Sequence, residues 1–297
     1  VLMSNKIPWW RTSFGEEEIQ RIGESIRNEC ISQGKVTAQK GWSAFNRVGP
    51  AEKDFEDHEV ILIDLPGHGK SDSLSPHFDW EETSRLITQF MNALCLPSAV
   101  AIGHSMGGHI ALSVAGQGNF FDAVLALDPV VLNFPMIAAF SRGNYNFIQS
   151  KRANWNSESV FIHDYKKKLF FASWNNLVFI DYCKHAVQES PQGVTLSCHP
   201  DYEASIYRNC RSEDIYRWLS NIHCQSKILR SRNRYPNEEE VSFEYSPTRS
   251  NVGDFIANSE VKTLGNYSHF FPMENPFMVI DEIKQLLSDD TAPRAYH

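Results

Sequence analysis

Gly103-His104-Ser105-Met106-Gly107-Gly108 is the stretch whose reading decides the fold. It follows the short apolar run Ala99 to Ile102 and opens the helix-like segment Ile110 to Ala115. A serine between two glycines at a strand-to-helix junction fits the G-x-S-x-G nucleophile elbow. The chain turns so sharply there that small residues are expected at both flanks. The serine hydroxyl is then exposed at the top of a sheet, with a helix N-terminus behind it. A glycine-rich turn in a parallel sheet would carry the same letters, so the surroundings must decide.

They favour the elbow. Val60-Ile61-Leu62-Ile63-Asp64-Leu65 is a near-continuous apolar run, as expected of a strand covered on both faces. Pro66-Gly67-His68-Gly69-Lys70-Ser71-Asp72 follows as a turn. Trp80 to Leu94 then carries Leu86, Ile87, Phe90, Met91 and Leu94 at helical spacing, with Asp79 as the predicted cap. After the serine strand and its helix comes another apolar run, Val124 to Leu127, ending at Asp128-Pro129. Strands alternating with helices predict a parallel sheet with right-handed crossovers.

The two motifs Asp64-Leu65-Pro66-Gly67-His68-Gly69-Lys70-Ser71-Asp72 and Gly103-His104-Ser105-Met106-Gly107-Gly108, in this order, resemble the α/β-hydrolase superfamily over residues 42 to 290. The resemblance implies an α/β fold, a mostly parallel sheet with a helical cap inserted into it. It does not imply a substrate, because one scaffold hosts many chemistries. A serine hydroxyl is a poor nucleophile at neutral pH, so a base must take its proton and a carboxylate must orient that base.

The superfamily's chain order is serine, acid, histidine. Of eleven histidines, His269 lies in a loop after a predicted strand, Val261 to Leu264. It precedes a predicted helix, Pro276 to Leu287, with Val279, Ile283, Leu286 and Leu287 in register. That is where the resemblance places the base. The commoner position for the acid follows the strand Lys227-Ile228-Leu229-Arg230, but no carboxylate occurs there before Glu238-Glu239-Glu240. A minority of the superfamily carries the acid one strand earlier, where Asp128 stands. Asp128 is therefore the favoured acid and the Glu238 to Glu240 cluster the alternative. The backbone N–H of Met106 is the expected oxyanion donor. The second donor should come from a loop near the N-terminus, with Gly34 or Gly41 as its only markers. The resemblance gives His104 and His109, which flank the serine, packing or substrate-contact roles, with His104 the candidate for substrate binding, and His68 in the turn motif reads as structural.

Upstream of Trp42 no pair of apolar strands can be found, so the hydrolase's first strands are missing or replaced. Ile7 to Gly34 instead holds a short amphipathic helix pattern (Ile19, Ile22, Ile26) with Ser13 and Glu16 as a capping box. Residues 7 to 37 resemble the N-terminal arm of DegT-type pyridoxal-phosphate-dependent sugar aminotransferases. None of that family's cofactor-binding residues has a counterpart, so no cofactor is expected.

The chain has 297 residues, 42% of them apolar, and a net charge of −8. That acidity argues against nucleic acid or an anionic membrane as partner. No run reaches the length of a transmembrane helix, and Val1 to Lys6 lack a signal-peptide core. Six scattered cysteines without metal-ligand spacing predict free thiols, no metal and a cytoplasmic setting. The predicted division is residues 1–40 as the atypical segment, 41–130 with 226–297 as the core, and 131–225 as the cap. The cap is rich in aromatics, among them Phe134, Phe140, Tyr145, Phe147, Trp155, Phe161, Tyr165, Phe170, Phe171, Trp174, Phe179 and Tyr182. Most must form the cap's own core, and the remainder predict an apolar pocket. Lys166-Lys167-Lys168 reads as a solvated helix face.

Together these readings predict a serine hydrolase acting on an ester or related acyl bond of a small hydrophobic molecule. Ser105 is its nucleophile, His269 its base and Asp128 its acid. The non-enzyme alternative is a degenerate hydrolase serving as a binding scaffold. A third, an accessory protein of sugar biosynthesis, rests on the N-terminal arm alone.

Overall fold

The computed structural model describes residues 61 to 289, except residues 62, 70, 72, 74, 95–98, 211, 240 and 241. The expectations for residues 7 to 37, for Gly34 and Gly41, and for Lys70, Asp72 and Glu240 lie outside the described residues. Along the chain run α1 (Trp80–Leu94), β1 (Val100–His104), α2 (Met106–Ala115), β2 (Ala123–Leu127), α3 (Phe134–Arg142), β3 (Asn154–Trp155) and α4 (Glu158–Lys166). Then follow α5 (Asn176–His185), β4 (Val187–Ser190), β5 (Gly193–Leu196), α6 (Pro200–Arg208), β6 (Gln225–Arg230), β7 (Ser259–Thr263) and α7 (Pro276–Asp289).

Four strands form one sheet in the order β1-β2-β6-β7, and every pair is parallel. The period of two along β2 sorts its residues between two helical layers. Val124 and Ala126 face Leu112 of α2 and Ile228 of β6. Ala123, Leu125 and Leu127 face Val279, Ile283 and Leu286 of α7. All five β2 residues are fully buried. Each large side chain so buried contributes about 1.5–3 kcal/mol.

α1 has the predicted bounds and is capped as predicted, with the Glu82 amide donating to Asp79 Oδ1 at 2.8 Å. Its Met91 and Leu94 pack on Ile110 and Val114 of α2. The turn before α1 is tied to the cap at Gly67, whose φ is +73°. A Cβ there would sit 2.1 Å from the ring of Tyr202 on α6, so only glycine lets that ring close over the turn.

Two features depart from the sequence reading. Of the expected strand Val60 to Leu65, the described residues Ile61 and Ile63–Leu65 are irregular. Ile61 and Ile63 are 37% and 42% exposed, where burial on both faces was expected. No described strand pairs with these described residues. Second, the region between β2 and β6 is not purely helical. β3, β5 and β4 form a three-stranded antiparallel sheet inside it. Trp155, Phe161, Tyr165, Phe171, Trp174 and Phe179 build the cap's own core around that sheet, while Phe134 and Phe147 stay exposed. Among the described residues no helix is long and apolar enough to cross a membrane.

Candidate active site

The elbow is held by three backbone hydrogen bonds. Ser105 N–H donates to the Leu127 carbonyl at 2.9 Å, and its own carbonyl accepts from His109 and Val130 at 3.1 and 3.2 Å. This clamp fixes Ser105 at φ 55°, ψ −116°, a strained conformation of the kind that concentrates at functional sites. A Cβ on Gly103 would lie 2.3 Å from the Gly107 carbonyl oxygen, and one on Gly108 would lie 2.9 Å from the Gly103 carbonyl. Gly107 has nothing within 4 Å. The small residues the turn requires are therefore Gly103 and Gly108, and the second flank of the motif faces open space.

Three of the predicted residues meet. His269 Nε2 lies 2.9 Å from Ser105 Oγ, and its Nδ1 lies 2.8 Å from Asp128 Oδ2. Asp128 directly follows β2 at φ 46°, a region that Asp tolerates better than most residues, and its N–H donates to the Leu229 carbonyl at 2.6 Å. His269 is only 2% exposed and Asp128 not at all. With Nδ1–H donating to Asp128, Nε2 is left as the acceptor for the serine proton.

Asp128 collects further donors that the sequence reading missed. Its Oδ2 also accepts the Ser231 hydroxyl at 2.7 Å. Its Oδ1 accepts the Ser231 N–H at 3.1 Å and the Ser246 hydroxyl at 2.5 Å. Burial alone would raise the Asp128 pKa. Its bond to His269, the His269 charge and the two serine hydroxyls outweigh burial and hold it below the ordinary carboxylate value. The alternative acid is engaged elsewhere: Glu238 pairs with Arg232 at 2.6 Å and accepts the Tyr235 N–H at 2.7 Å. The Arg232 bonds bring its pKa down to about 2.

His104 faces the histidine loop. Its Nε2–H donates to the His269 main-chain carbonyl at 2.8 Å, and the two rings lie 4.7 Å apart. Burial first, then the His269 charge, brings its pKa down to about 3, so it is neutral near pH 7. The expected substrate contact is not what occupies this nitrogen. His109 donates from Nδ1 to the Val130 carbonyl and meets Trp80 edge-on. His68 Nδ1 bonds the Pro66 carbonyl within its own turn. Met106 opens α2, where a first-turn amide has no intrahelical acceptor. The loop expected to supply the second donor lies outside the described residues.

Aromatic rings surround His269, the residue hydrogen-bonded to Ser105. Phe243, which no motif marked, stacks on His269 at 5.8 Å and 27°. Phe270 follows the histidine, and Phe170 of the cap lies 4.4 Å from Phe270 and 5.8 Å from Phe243. Among the described residues no group of three or more His, Cys, Asp or Glu is arranged to hold a metal ion.

A family model described as "Alpha/beta hydrolase family" matches residues 38–203, more than half of the chain. Curated relatives match shorter stretches. The dihydrolipoyllysine-residue acetyltransferase component of the acetoin cleaving system of Pseudomonas putida is 40% identical over 60 residues, 20% of this chain and 16% of that protein. A 2-hydroxy-6-oxononadienedioate/2-hydroxy-6-oxononatrienedioate hydrolase of Dechloromonas aromatica is 32% identical over 95 residues, 31% of this chain and 32% of that protein. The aligned stretches thus span under a third of these relatives' lengths. Among solved structures, the peroxisomal alpha-beta-hydrolase Lpx1 of Saccharomyces cerevisiae superposes with a TM-score of 0.62 at 18% identity, over 79% of this chain and 70% of that one. MenH from S. aureus gives 0.58 at 17% identity, over 85% and 91%. At such identities the likeness speaks for the fold.

Proposed function

Since the chain belongs to the alpha/beta hydrolase family, we propose that it is a serine hydrolase that cleaves an ester or related acyl bond of a small, largely hydrophobic molecule. The observation that carries this reading is the unbroken line Ser105–His269–Asp128, with hydrogen-bond distances of 2.9 and 2.8 Å. A chain that had lost its chemistry would have no need to keep a strained serine, a buried histidine and an ionised carboxylate in that register.

The reaction runs in two halves. Ser105 Oγ attacks the acyl carbon while His269 Nε2 takes its proton, and Asp128 stabilises the imidazolium. The Met106 N–H receives the oxyanion, a kind of donor whose loss costs about a hundredfold or more in rate. The intermediate collapses to an acyl-Ser105 ester as His269 protonates the departing alcohol. Water then gives its proton to His269 and attacks the acyl carbon, releasing the acid and restoring Ser105. The rings of Phe170, Phe243 and Phe270 suit an apolar or aromatic acyl group. The free thiols of Cys183 and Cys198 suit a reducing, cytoplasmic setting.

Steady-state hydrolysis of 4-nitrophenyl acetate and butyrate tests this reading. Turnover that falls by about a thousandfold or more in Ser105→Ala is expected. Turnover that survives the substitution would assign the hydrolysis to another group.

A further inference from the structure

Arg230, the last residue of β6, is a cation enclosed in the core. It is 4% exposed, and among the described residues it forms no ion pair. Its guanidinium gives its donors to neutral oxygens instead. Nε and Nη2 both donate to the Thr248 carbonyl, at 3.0 and 2.7 Å, and Nη1 donates to Thr263 Oγ1 at 3.1 Å. A buried charge without a carboxylate partner costs stability that an apolar residue at the end of β6 would not, which points to a role beyond packing.

What it holds is the loop that serves Asp128. The guanidinium is planar and its N–H directions are set, so two of its donors converging on one carbonyl fix Thr248 in place. The Thr248 N–H donates to Ser246 Oγ at 3.1 Å, and the Ser246 hydroxyl donates to Asp128 Oδ1 at 2.5 Å. Thr248 Oγ1 donates to the carbonyl of Pro129, the residue after Asp128, at 2.5 Å. Ser246 and Thr248 are both buried. A continuous series of buried hydrogen bonds therefore runs from Arg230 through Thr248 and Ser246 to Asp128, and from there to His269.

The end of β6 thus serves the acid twice. Ser231 reaches it directly, its N–H and hydroxyl donating to Asp128 at 3.1 and 2.7 Å. Arg230 reaches it by way of Ser246. Burial, the larger effect, lowers the Arg230 pKa, and the charge of Asp128 opposes it.

We propose that Arg230 is a positioning residue for the acid. Its double hold on the Thr248 carbonyl keeps the Ser246 hydroxyl on Asp128, and so keeps Asp128 set against His269. That this setting serves catalysis rests on the hydrolase reading above, whereas the hold on Asp128 does not.

The test reads the Asp128–His269 pair without turnover. The proton NMR resonance of the hydrogen-bonded His269 Nδ1–H, identified by its loss in His269→Gln, is followed against pH in the full chain and its variants. Arg230→Lys keeps the charge but gives up the two parallel bonds. With Ser246 released, Asp128 loses a donor to its charged form, so the pair holds a proton more tightly. The titration of the resonance is therefore expected at higher pH in Arg230→Lys and in Ser246→Ala, and no higher in the double variant than in Ser246→Ala alone. Thr263→Val, a milder change at the exposed third partner, should displace it the same way by less. His104 of β1, the other ionisable group that senses both charges, is unchanged in all of them. With 4-nitrophenyl butyrate, Arg230→Lys should lower kcat by about tenfold, the scale of one hydrogen bond to a charged group, and leave KM within about twofold. Titrations that coincide with the native one in both Arg230→Lys and Thr263→Val would overturn the assignment. So would displacements of Arg230→Lys and Ser246→Ala that add in the double variant. Displaced titrations in a chain that hydrolyses no ester would keep the assignment and remove the hydrolase reading instead.

Discussion

Ser231 Oγ donates at 2.7 Å to Asp128 Oδ2, the same oxygen that faces His269 Nδ1 at 2.8 Å. Ser231 is the first residue after β6, which is where the commoner arrangement of the superfamily carries its acid. The two positions therefore meet at one carboxylate oxygen, from neighbouring strands. Asp128→Asn should lower kcat for an activated ester by about four orders of magnitude, because the imidazole loses its orienting charge. Asn tolerates the left-handed backbone at residue 128, so the fold should stand. Adding Ser231→Asp should restore at least about tenfold of the lost rate. A double variant no faster than Asp128→Asn would mean that position 231 cannot present a carboxylate to His269.

The buried histidines set a pH dependence of stability. Burial, partly opposed by the Val130 carbonyl, lowers the His109 pKa from 6.5 to about 4, and His104 falls to about 3. Below pH about 6.5 the unfolded chain takes up protons that the folded chain refuses. The unfolded state binds more protons in the window from pH about 6.5 down to about 4, so stability falls as pH falls through it. Each such histidine contributes up to about 1.4 kcal/mol per pH unit. Urea unfolding at pH 7.5 and 5.0 should show this loss, and His109→Gln should make it shallower. An identical slope in the variant would place the proton uptake elsewhere.

The elbow's glycines should separate by experiment. Gly103→Ala puts a Cβ 2.3 Å from the Gly107 carbonyl and should cost about 2 kcal/mol or more, with loss of turnover as Ser105 shifts. Gly107→Ala meets nothing within 4 Å and lies inside α2, where Ala is favoured over Gly by up to about 1 kcal/mol. Its melting temperature should hold or rise. The reverse ranking would show that the second motif glycine, not the first, closes the turn.

Much of this was legible because local pattern and tertiary role coincide. The apolar spacing of Trp80 to Leu94 and the oxygen of Asp79 fix α1 without help from the rest of the chain. Asp128 and His269 could be picked out because chain order restricts where a base and an acid may stand. Ser231, Ser246 and Phe243 could not, since ordinary loop residues gain their role only when folding brings them to Asp128 or His269. The cap's small sheet was not read from the sequence, although Pro191-Gln192-Gly193 is a turn signal between two short runs. Ile61 and Ile63, expected to be covered on both faces, are exposed, because apolar content marks burial potential and not burial itself. His104 sits beside the nucleophile in sequence, which suggested substrate contact, yet its nitrogen supports the His269 carbonyl.

The measurement that tests the central claim most directly is labelling with a fluorophosphonate probe, the adduct being mapped by mass spectrometry on the native chain and on Ser105→Ala and His269→Ala. A single adduct on Ser105 is predicted, absent from Ser105→Ala and strongly slowed in His269→Ala. A native chain that melts cooperatively yet stays unlabelled, or labels at another residue, would contradict the reading of Ser105 as an activated nucleophile.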